Sequence, residues 1–515
     1  MRRREFLDRS VGGLAYSLIA RHAFAQSPAI VGSDRLRPRL DAGVSAGLAG
    51  PNRAIVWAHA DREARLVVEF STVETFARSR KVTGTIATPQ TGFTARALIG
   101  DFGAGQDIFY RAWFEDPANR RLMSAPETGH LRSARKPATP VRVAWTADIC
   151  GQGWGIDTAR GGMRLFKTMA DANPDLFVHV GDTIYADAPL VAEVPLDDGT
   201  IWRNVLTPSK LKVAETLDEF RGNHMYNRLD DHYRRFAAEV GQIAMWDDHE
   251  VRDNWFPGQL LPANAPHTEK RVDVLSARAR QAFLEHHPVT MDRSAGADIY
   301  KSISMGPLVE VFALDMRTYR GANSDNLQET SQPFLGARQA DWLAGALSRS
   351  TATWKIVAAD MPLGLVVSHR AGEHEAVANG DHGAPRGREL ELAKLLSTLK
   401  ARRIDNVVWI TADVHYCAAH RYDPQRAATH DFDPFWEFVA GPGHAGTFAP
   451  PPLDNTFGPE VRFSGVPADL KPNRPPDAGW QFFGLLDADP RTRSLTVSLV
   501  NTAGTRIFTQ VLEAR

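Results

Sequence analysis

Acidic side chains stand at the end of nearly every long apolar run in this chain. The residues in that position are Asp148, Asp182, Asp248 with His249, Asp315, Asp360, and Asp413 with His415. A single aspartate after a strand is also a common turn former or helix N-cap. Turns formed by chance would use Asn, Ser or Gly as often, so the repetition indicates a shared acidic site. Because clustered carboxylates repel one another, the site must hold cations, and hard metal ions suit oxygen donors.

The donor types divide the candidate ligands into two kinds. His415 offers an imidazole nitrogen and Tyr185 a phenolic oxygen, which suit a Lewis-acidic ion such as Fe(III). The remaining carboxylate oxygens suit Ca²⁺, Mg²⁺ or Mn²⁺. Two such ions about 3.5–4 Å apart bind a phosphate ester and activate a water between them. The sequence therefore predicts a mixed site for two or more metal ions.

The apolar runs that end in these residues are typical of parallel strands. They cover residues 141–148, 175–182, 242–250, 309–315, 354–362 and 406–416. Helical patterns lie between several of them, at about 163–171, 337–350 and 387–403. Strands that alternate with helices predict a layered α/β core, which antiparallel strands near the C-terminus would close. Ligands of such folds bind at the carboxyl ends of strands, where the aspartates stand.

The residues before this core follow a different pattern. Short alternating runs at 54–60, 65–71, 93–102 and 107–115, with turn-rich pieces between them, predict an all-β sandwich over residues 36–135. A linker at 133–140 leads into the second domain, residues 139–515. We interpret the Pro- and Gly-rich stretch 441–477 as long surface loops, and the pair His286–His287 as ordinary surface.

The N-terminus has the features of an export signal. Arg3 and Arg4 begin an R-R-x-F-L motif, a short apolar stretch follows, and Ala23-Phe24-Ala25 is a typical cleavage site. Residues 1–25 are therefore interpreted as a Tat-type signal peptide that is read by the Tat export machinery. No later segment is long and apolar enough for a membrane span. We expect a periplasmic or secreted protein.

Composition excludes several other classes of protein. The 515 residues are 43% hydrophobic and 23% charged, which is enough apolar material for a large core and argues against disorder. The net charge of −1 disfavours a nucleic-acid scaffold role. Only Cys150 and Cys417 are present, so neither a disulfide framework nor a four-thiolate metal site is possible.

Four motifs resemble the PhoD-like alkaline phosphatase family (alkaline phosphatase D) of the calcineurin-type metallophosphoesterase superfamily. GDTIYAD (181–187) resembles its GD-x-x-Y element, and WDDHEVRDNW (246–255) its WDDHE-V-x-x-NW hallmark. LDMRTYR (314–320) and TADVHY (411–416) are similar to its L-D-x-R and G-D-V-H elements. The resemblance implies a metallophosphoesterase-type α/β core after a small immunoglobulin-like β-sandwich domain.

The resemblance also implies a role for each matching residue. Asp182 would bridge both metals, and Tyr185, His415 and Asp148 would bind the first, an iron(III) ion. Asp248, Asp360 and Asp413 would bind the second, in agreement with the family's use of calcium. His249 would be the catalytic imidazole, either hydrogen-bonded to the phosphoryl oxygen or protonating the leaving group.

The first motif departs from the family pattern. The family often has S-C-Q there, with cysteine as an iron ligand, whereas this chain has Asp148-Ile149-Cys150-Gly151-Gln152. Either Asp148 or Cys150 could be the ligand, and we favour Asp148. Arg317 has two interpretations, a phosphate ligand or a structural partner of a nearby carboxylate.

These inferences together predict an exported metal-dependent phosphoric-ester hydrolase. In this hypothesis a bridging hydroxide attacks phosphorus in line, and the substrate is a phosphate ester. A phosphodiesterase or phospholipase D-like enzyme with the same site is the alternative. A non-catalytic, calcium-stabilised surface protein would explain the acids and the export signal, but not His249 beside Asp248.

Overall fold

The computed structural model describes residues 34–289 and 298–515. The predicted export signal, residues 1–25, lies outside these ranges. The polypeptide forms a β-sandwich followed by two packed sheets with helices on their outer faces, which confirms the predicted fold class. In the part of the chain that the structure describes, no helix is long and apolar enough to cross a membrane.

The N-terminal sandwich contains seven strands in two facing sheets. The strands are β1 (Leu40–Leu48), β2 (Arg53–Ala60), β3 (Ala64–Ser71), β4 (Ser79–Ala87), β5 (Thr94–Gly100), β6 (Asp107–Glu115) and β7 (Glu127–Arg132). One sheet has the order β4-β3-β6-β7, and the strands β1-β2-β5 form the other side. Alternating residues such as Leu66, Val68 and Phe70 of β3 are buried between the two sides, as the pattern predicted.

The first core sheet is continuous with the sandwich. Its own strands are β8 (Val141–Thr146), β9 (Leu176–Val180), β12 (Gln242–Met245), β22 (Phe482–Ala488), β23 (Leu495–Asn501) and β24 (Arg506–Leu512). The order is β24-β23-β22-β8-β9-β12-β1-β2-β5, and β1 lies parallel to β12, with Gly47 opposite Gln242. The N-terminal region and the core therefore share one nine-stranded sheet.

The second core sheet faces the first across an apolar interior. Its strands are β13 (Lys301–Ser304), β14 (Val309–Ala313), β15 (Trp354–Ala358), β18 (Val407–Thr411), β19 (Ala418–Tyr422), β20 (Phe435–Val439) and β21 (Pro459–Ser464). Strands β14, β15, β18 and β20 are parallel neighbours. Val143 and Val178 of the first sheet belong to the same buried cluster as Ile356 and Val408 of the second.

Six helices cover the outer faces within the described ranges. They are α1 (Arg164–Asp171), α2 (Leu217–Asn227), α3 (Asp231–Glu239), α4 (Val272–His286), α5 (Ala337–Arg349) and α6 (Glu389–Ala401). Helix α2 begins with a capping box, in which Thr216 accepts from the amide of Glu219 and the Glu219 carboxylate accepts from the amide of Thr216. Two short hairpins complete the structure, β10 (Glu193–Pro195) with β11 (Ile201–Arg203) and β16 (Ser368–Arg370) with β17 (Glu373–His374).

Two interpretations of the sequence are wrong. His286 and His287 are each 3% exposed rather than on the surface, because the end of α4 packs against α2 and the sandwich. Residues 441–447 are buried rather than in a surface loop. The amides of Gly443 and His444 donate to the carbonyls of Ala147 and Asp148, so this segment is packed against the end of β8.

Candidate active site

The carboxyl ends of five parallel strands bring the acidic residues together. Asp148, Asp182, Asp360 and Asp413 each lie two residues after the end of a strand, β8, β9, β15 and β18 respectively. The pair Asp247–Asp248 follows β12 in the same way. Strands β8, β9 and β12 are parallel to one another in the first sheet, as are β15 and β18 in the second, so their ends lie on one side of the core.

Three overlapping clusters of ligand-type atoms form one continuous acidic centre. In each cluster the ligand-type atoms lie within 4.8 Å of one another. The first cluster is Asp148, Asp182 and His415; the second is Asp182, Asp248 and His249; the third is Asp247, Asp248 and Asp413. Asp182 belongs to the first two clusters and Asp248 to the last two. This arrangement places Asp182 between two adjacent positions, as a bridging carboxylate would need.

Strained backbone conformations accompany this centre. Asp148, Asp182, Asp413 and His415 have positive φ values of 60°, 46°, 64° and 57°. Residues other than glycine rarely adopt this left-handed region, although Asp, Asn and His do so more readily than most. Such strain collects at functional sites, where the surrounding structure maintains it.

His415 presents one particular ring nitrogen to the centre. Its Nδ1 donates to the Gly446 carbonyl at 2.6 Å, so Nε2 is the nitrogen that faces the Tyr185 hydroxyl at 2.7 Å. Burial lowers the pKa of His415 to about 4, so the ring is neutral. A neutral imidazole held by a backbone carbonyl is the usual form of a metal-ligating histidine.

His249 is oriented by a carboxylate outside the acidic clusters. Its Nδ1 lies 2.7 Å from Asp187 Oδ1, and its ring stacks on Tyr185 with centroids 4.2 Å apart. Burial alone would lower the pKa of His249, but Asp187, Asp248 and Asp182 raise it well above its ordinary value. These carboxylates favour the protonated imidazole, and its side chain is 13% exposed, which leaves it able to meet a substrate.

Several carboxylate oxygens of the centre accept no hydrogen bond from the described residues. They include both side-chain oxygens of Asp148 and Oδ1 of Asp248. Burial, followed by repulsion from Asp247, raises the pKa of Asp148 well above its ordinary value. Unpaired buried carboxylates are costly unless they coordinate cations. The donor set therefore fits bound metal ions.

The other half of the centre surrounds a buried arginine. Arg317 Nη2 lies 2.5 Å from Asp247 Oδ1, and its Nε lies 3.6 Å from Asp360 Oδ2. Glu375 also pairs with Arg317. Asp360 therefore lies beside the arginine, and it is in none of the three clusters found among the described residues. Its predicted role as a ligand stays a prediction.

Glu250 fixes the turn that carries the pair Asp247–Asp248. Its carboxylate accepts from the amide and hydroxyl of Thr183, both at 2.6 Å, and from the amide of Asp247 at 2.8 Å. It thereby ties the loop after β12 to the loop after β9.

The first motif places Asp148, and not Cys150, in the centre. Cys150 is buried in an apolar cluster with Ile156 and Leu190, and its amide donates to the His444 carbonyl at 2.7 Å. Burial raises the pKa of its thiol. Cys150 and Cys417 are both free and buried.

Sequence reasoning did not assign a role to Asp187, Glu375 or Gly446. Asp187 ends the GDTIYAD motif, five residues after Asp182, so its place in that loop was a usable signal. Glu375 and Gly446 approach the centre from distant parts of the chain, and no local pattern marks them.

The fold consists of two packed sheets flanked by helices, with a buried acid–histidine cluster at the strand ends. A family model described as PhoD-like phosphatase matches residues 143–499, and one described as PhoD-like phosphatase, N-terminal domain, matches residues 25–135. The chain belongs to the PhoD-like phosphatase family, which confirms the resemblance seen in its motifs.

Individual relatives agree with this assignment. Alkaline phosphatase D of Bacillus subtilis (strain 168) is 29% identical over 262 residues, which are 48% of this chain and 42% of that protein. A solved structure of PhoD has a TM-score of 0.67 at 19% identity and covers 92% of this chain and 89% of its own. The structure of a purple acid phosphatase from yellow lupin (Lupinus luteus) seeds has a TM-score of 0.60 at 14% identity. The match covers 91% of this chain and 74% of the lupin protein. The two structures share the fold.

Proposed function

We propose that the chain is an exported, metal-dependent hydrolase of phosphoric esters. The observation that carries this proposal is the continuous centre of Asp148, Asp182, Asp248 and Asp413 beside His249, whose Nδ1 is held by Asp187. Membership of the PhoD-like phosphatase family supports it. The export part rests on the twin-arginine motif in residues 1–25, for which the partner is the Tat machinery and the destination the periplasm or the exterior.

Two groups of residues would hold the metal ions. Asp148, Tyr185 and His415 would bind the first, for which a phenolate and an imidazole favour Fe(III). Asp248 and Asp413 provide only oxygen donors, which favour Ca²⁺, and Asp182 would be shared. When bound, such a pair supplies Lewis acidity and a hydroxide nucleophile at a pH where free water is inert.

The residues of the chain position the remaining parts of the reaction. Nearby carboxylates raise the pKa of His249, and Asp187 accepts from its Nδ1, so Nε2, which lies 3.9 Å from Asp248 Oδ1, would be the nitrogen that meets the substrate. That nitrogen can donate to a phosphoryl oxygen or protonate the departing alcohol. The Tyr185 ring stacks on His249 and limits the rotation of the imidazole. Burial of the carboxylates excludes bulk water, which strengthens the electrostatic interactions inside the site.

The test combines elemental analysis with ester hydrolysis. Protein purified without chelator is expected to retain metal and to hydrolyse aryl phosphate esters. Asp182→Asn should lose both properties, whereas the control Asp171→Asn, at an exposed position on α1, should keep them. Comparing mono- and diesters would separate a phosphatase from a phosphodiesterase or phospholipase D-like enzyme. If chelation lowers only the melting temperature and no ester is hydrolysed, the calcium-stabilised, non-catalytic alternative holds.

A further inference from the structure

Arg317 is a fully buried cation in the middle of the acidic centre. Its side chain is 0% exposed, and it follows β14 in the LDMRTYR segment. Four carboxylates face its guanidinium: Asp247 at 2.5 Å, Asp360 at 3.6 Å, Asp413 at 3.9 Å, and Glu375. No solvent reaches this group, so it cannot act as a surface ligand for substrate.

The loop geometry fixes Arg317 in this position. Asp315 Oδ1 accepts from the Arg317 amide at 3.1 Å and from Trp246 Nε1 at 2.9 Å. The Trp246 side chain is buried and precedes the Asp247–Asp248 pair in the chain. The arginine loop and the acidic loop are therefore joined through Asp315, which holds the guanidinium against Asp247.

The carboxylates around Arg317 differ in what else they face. Asp413 is part of a ligand-type cluster with Asp247 and Asp248. Asp360 is not part of such a cluster in the described chain, and its other oxygen accepts from the Met361 amide at 2.8 Å. Glu375 faces a second arginine, Arg320, at 3.5 Å. Asp360 and Glu375 are thus directed to arginines, and Asp413 to the acidic centre.

A guanidinium differs from a metal ion in that it cannot dissociate or lose its proton at ordinary pH. It presents a fork of donors that suits several carboxylates at once. A buried arginine among carboxylates therefore supplies a positive charge that is permanent, whatever the metal supply.

We propose that Arg317 is a permanent cation of the active site, with Asp247, Asp360 and Glu375 as its counter-ions. Arg317 supplies positive charge that an additional metal ion would otherwise have to supply. Because Asp360 is paired with Arg317, the second metal ion is bound by Asp248, Asp413 and the shared Asp182, and not by Asp360. This inference rests on the proposed function for the metal ions themselves.

Metal stoichiometry tests the division of the carboxylates. Asp360→Asn and Asp413→Asn are matched substitutions, because both residues follow neighbouring parallel strands by two positions. Elemental analysis should show that Asp413→Asn loses the second ion and that Asp360→Asn keeps the wild-type count. Loss of the same ion from both variants would overturn the proposal.

Thermal melting in chelator tests the permanent charge. Arg317→Met should lower the melting temperature of the metal-free protein by on the order of 10 °C, since it leaves buried carboxylates unpaired. Arg317→Lys should recover part of this loss, and added Ca²⁺ should raise the melting temperature of Arg317→Met more than that of the wild type. Equal melting of the methionine and lysine variants would contradict the proposal. If Arg317→Met does not fold, the comparison of the two aspartate variants still decides.

The two proposals fail in distinguishable ways. A wild-type protein that retains no metal ion would refute the proposed function. The chelator measurements on the methionine and lysine variants would then still decide whether Arg317 supplies the charge that holds the acidic centre together.

Discussion

Asp187→Asn tests whether His249, the proposed catalytic imidazole, depends on its carboxylate partner. The His249 Nδ1 to Asp187 Oδ1 distance is 2.7 Å, and the two side chains are 13% and 11% exposed. A hydrogen bond to a charged group contributes about 1.5–3 kcal/mol. At about 1.4 kcal/mol for each factor of ten in rate, its loss should lower kcat/KM by about 10- to 150-fold. Asparagine has nearly the same shape, and one oxygen remains to accept from the Asp253 amide.

The assay is hydrolysis of phosphate esters with good and poor leaving groups by metal-loaded enzyme. If His249 protonates the leaving group, the loss should be larger for an alkyl ester than for a nitrophenyl ester, whose phenolate leaves without a proton. The same substitution in a His249→Asn background should have little further effect, because the two residues act as one unit. An equal loss in both backgrounds would refute the reasoning, as would unchanged kcat/KM with metal content intact.

Three further predictions concern the scaffold of the site. Gly441→Ala should reduce metal content and activity, because the added Cβ would collide with Asp148 Oδ2. The control Gly103→Ala should have no such effect, because the nearest atom to its Cβ would be 3.4 Å away. Unchanged metal content in Gly441→Ala would contradict this prediction. Burial lowers the pKa of His179 and of His224 to about 3, whereas the pKa of an unfolded histidine is near 6.5. The folded state therefore keeps its full stability above pH 6.5 and loses stability as the pH falls toward 3. The loss is at most about 1.4 kcal/mol per pH unit for each ring. Urea unfolding of His224→Gln should therefore show a weaker acid dependence than wild type or the control His232→Gln, and equal slopes would count against it. Tyr185→Phe removes the hydroxyl that lies 2.7 Å from His415 Nε2. The first metal ion should therefore bind more weakly and be removed at a lower chelator concentration. An unchanged chelator concentration for half removal would argue against Tyr185 as a ligand.

The sequence was sufficient to locate the acidic centre, because its signal is local. Each aspartate stands directly after an apolar run, and parallel strands end at the same edge of a sheet. The predicted strands at 141–148, 175–182 and 406–416 correspond to β8, β9 and β18. The convergence of Asp148 and Asp182, which follow neighbouring strands of one sheet, agrees with this rule, whereas Asp413 joins them from the second sheet.

Features that depend on distant contacts were not predictable in the same way. The sequence left two interpretations of Arg317 open, and only the positions of Asp247 and Glu375 show that it is surrounded by acids. His286 and His287 end a helix and look like surface residues, but packing against His224 buries them. The parallel pairing of β1 with β12 joins residues almost two hundred positions apart in the chain, and no local pattern encodes it.

The pairing of β1 with β12 also determines whether the core sheet has a free edge. The two strands pair at Gly47 and Gln242, so without residues 34–135 the first residue of β12 would lose its neighbour at the edge of the sheet. Exposed edges of this kind recruit strands from other molecules. We therefore expect residues 34–135 to protect this part of the sheet edge from self-association, and a fragment that starts at residue 139 to aggregate more readily than the whole chain.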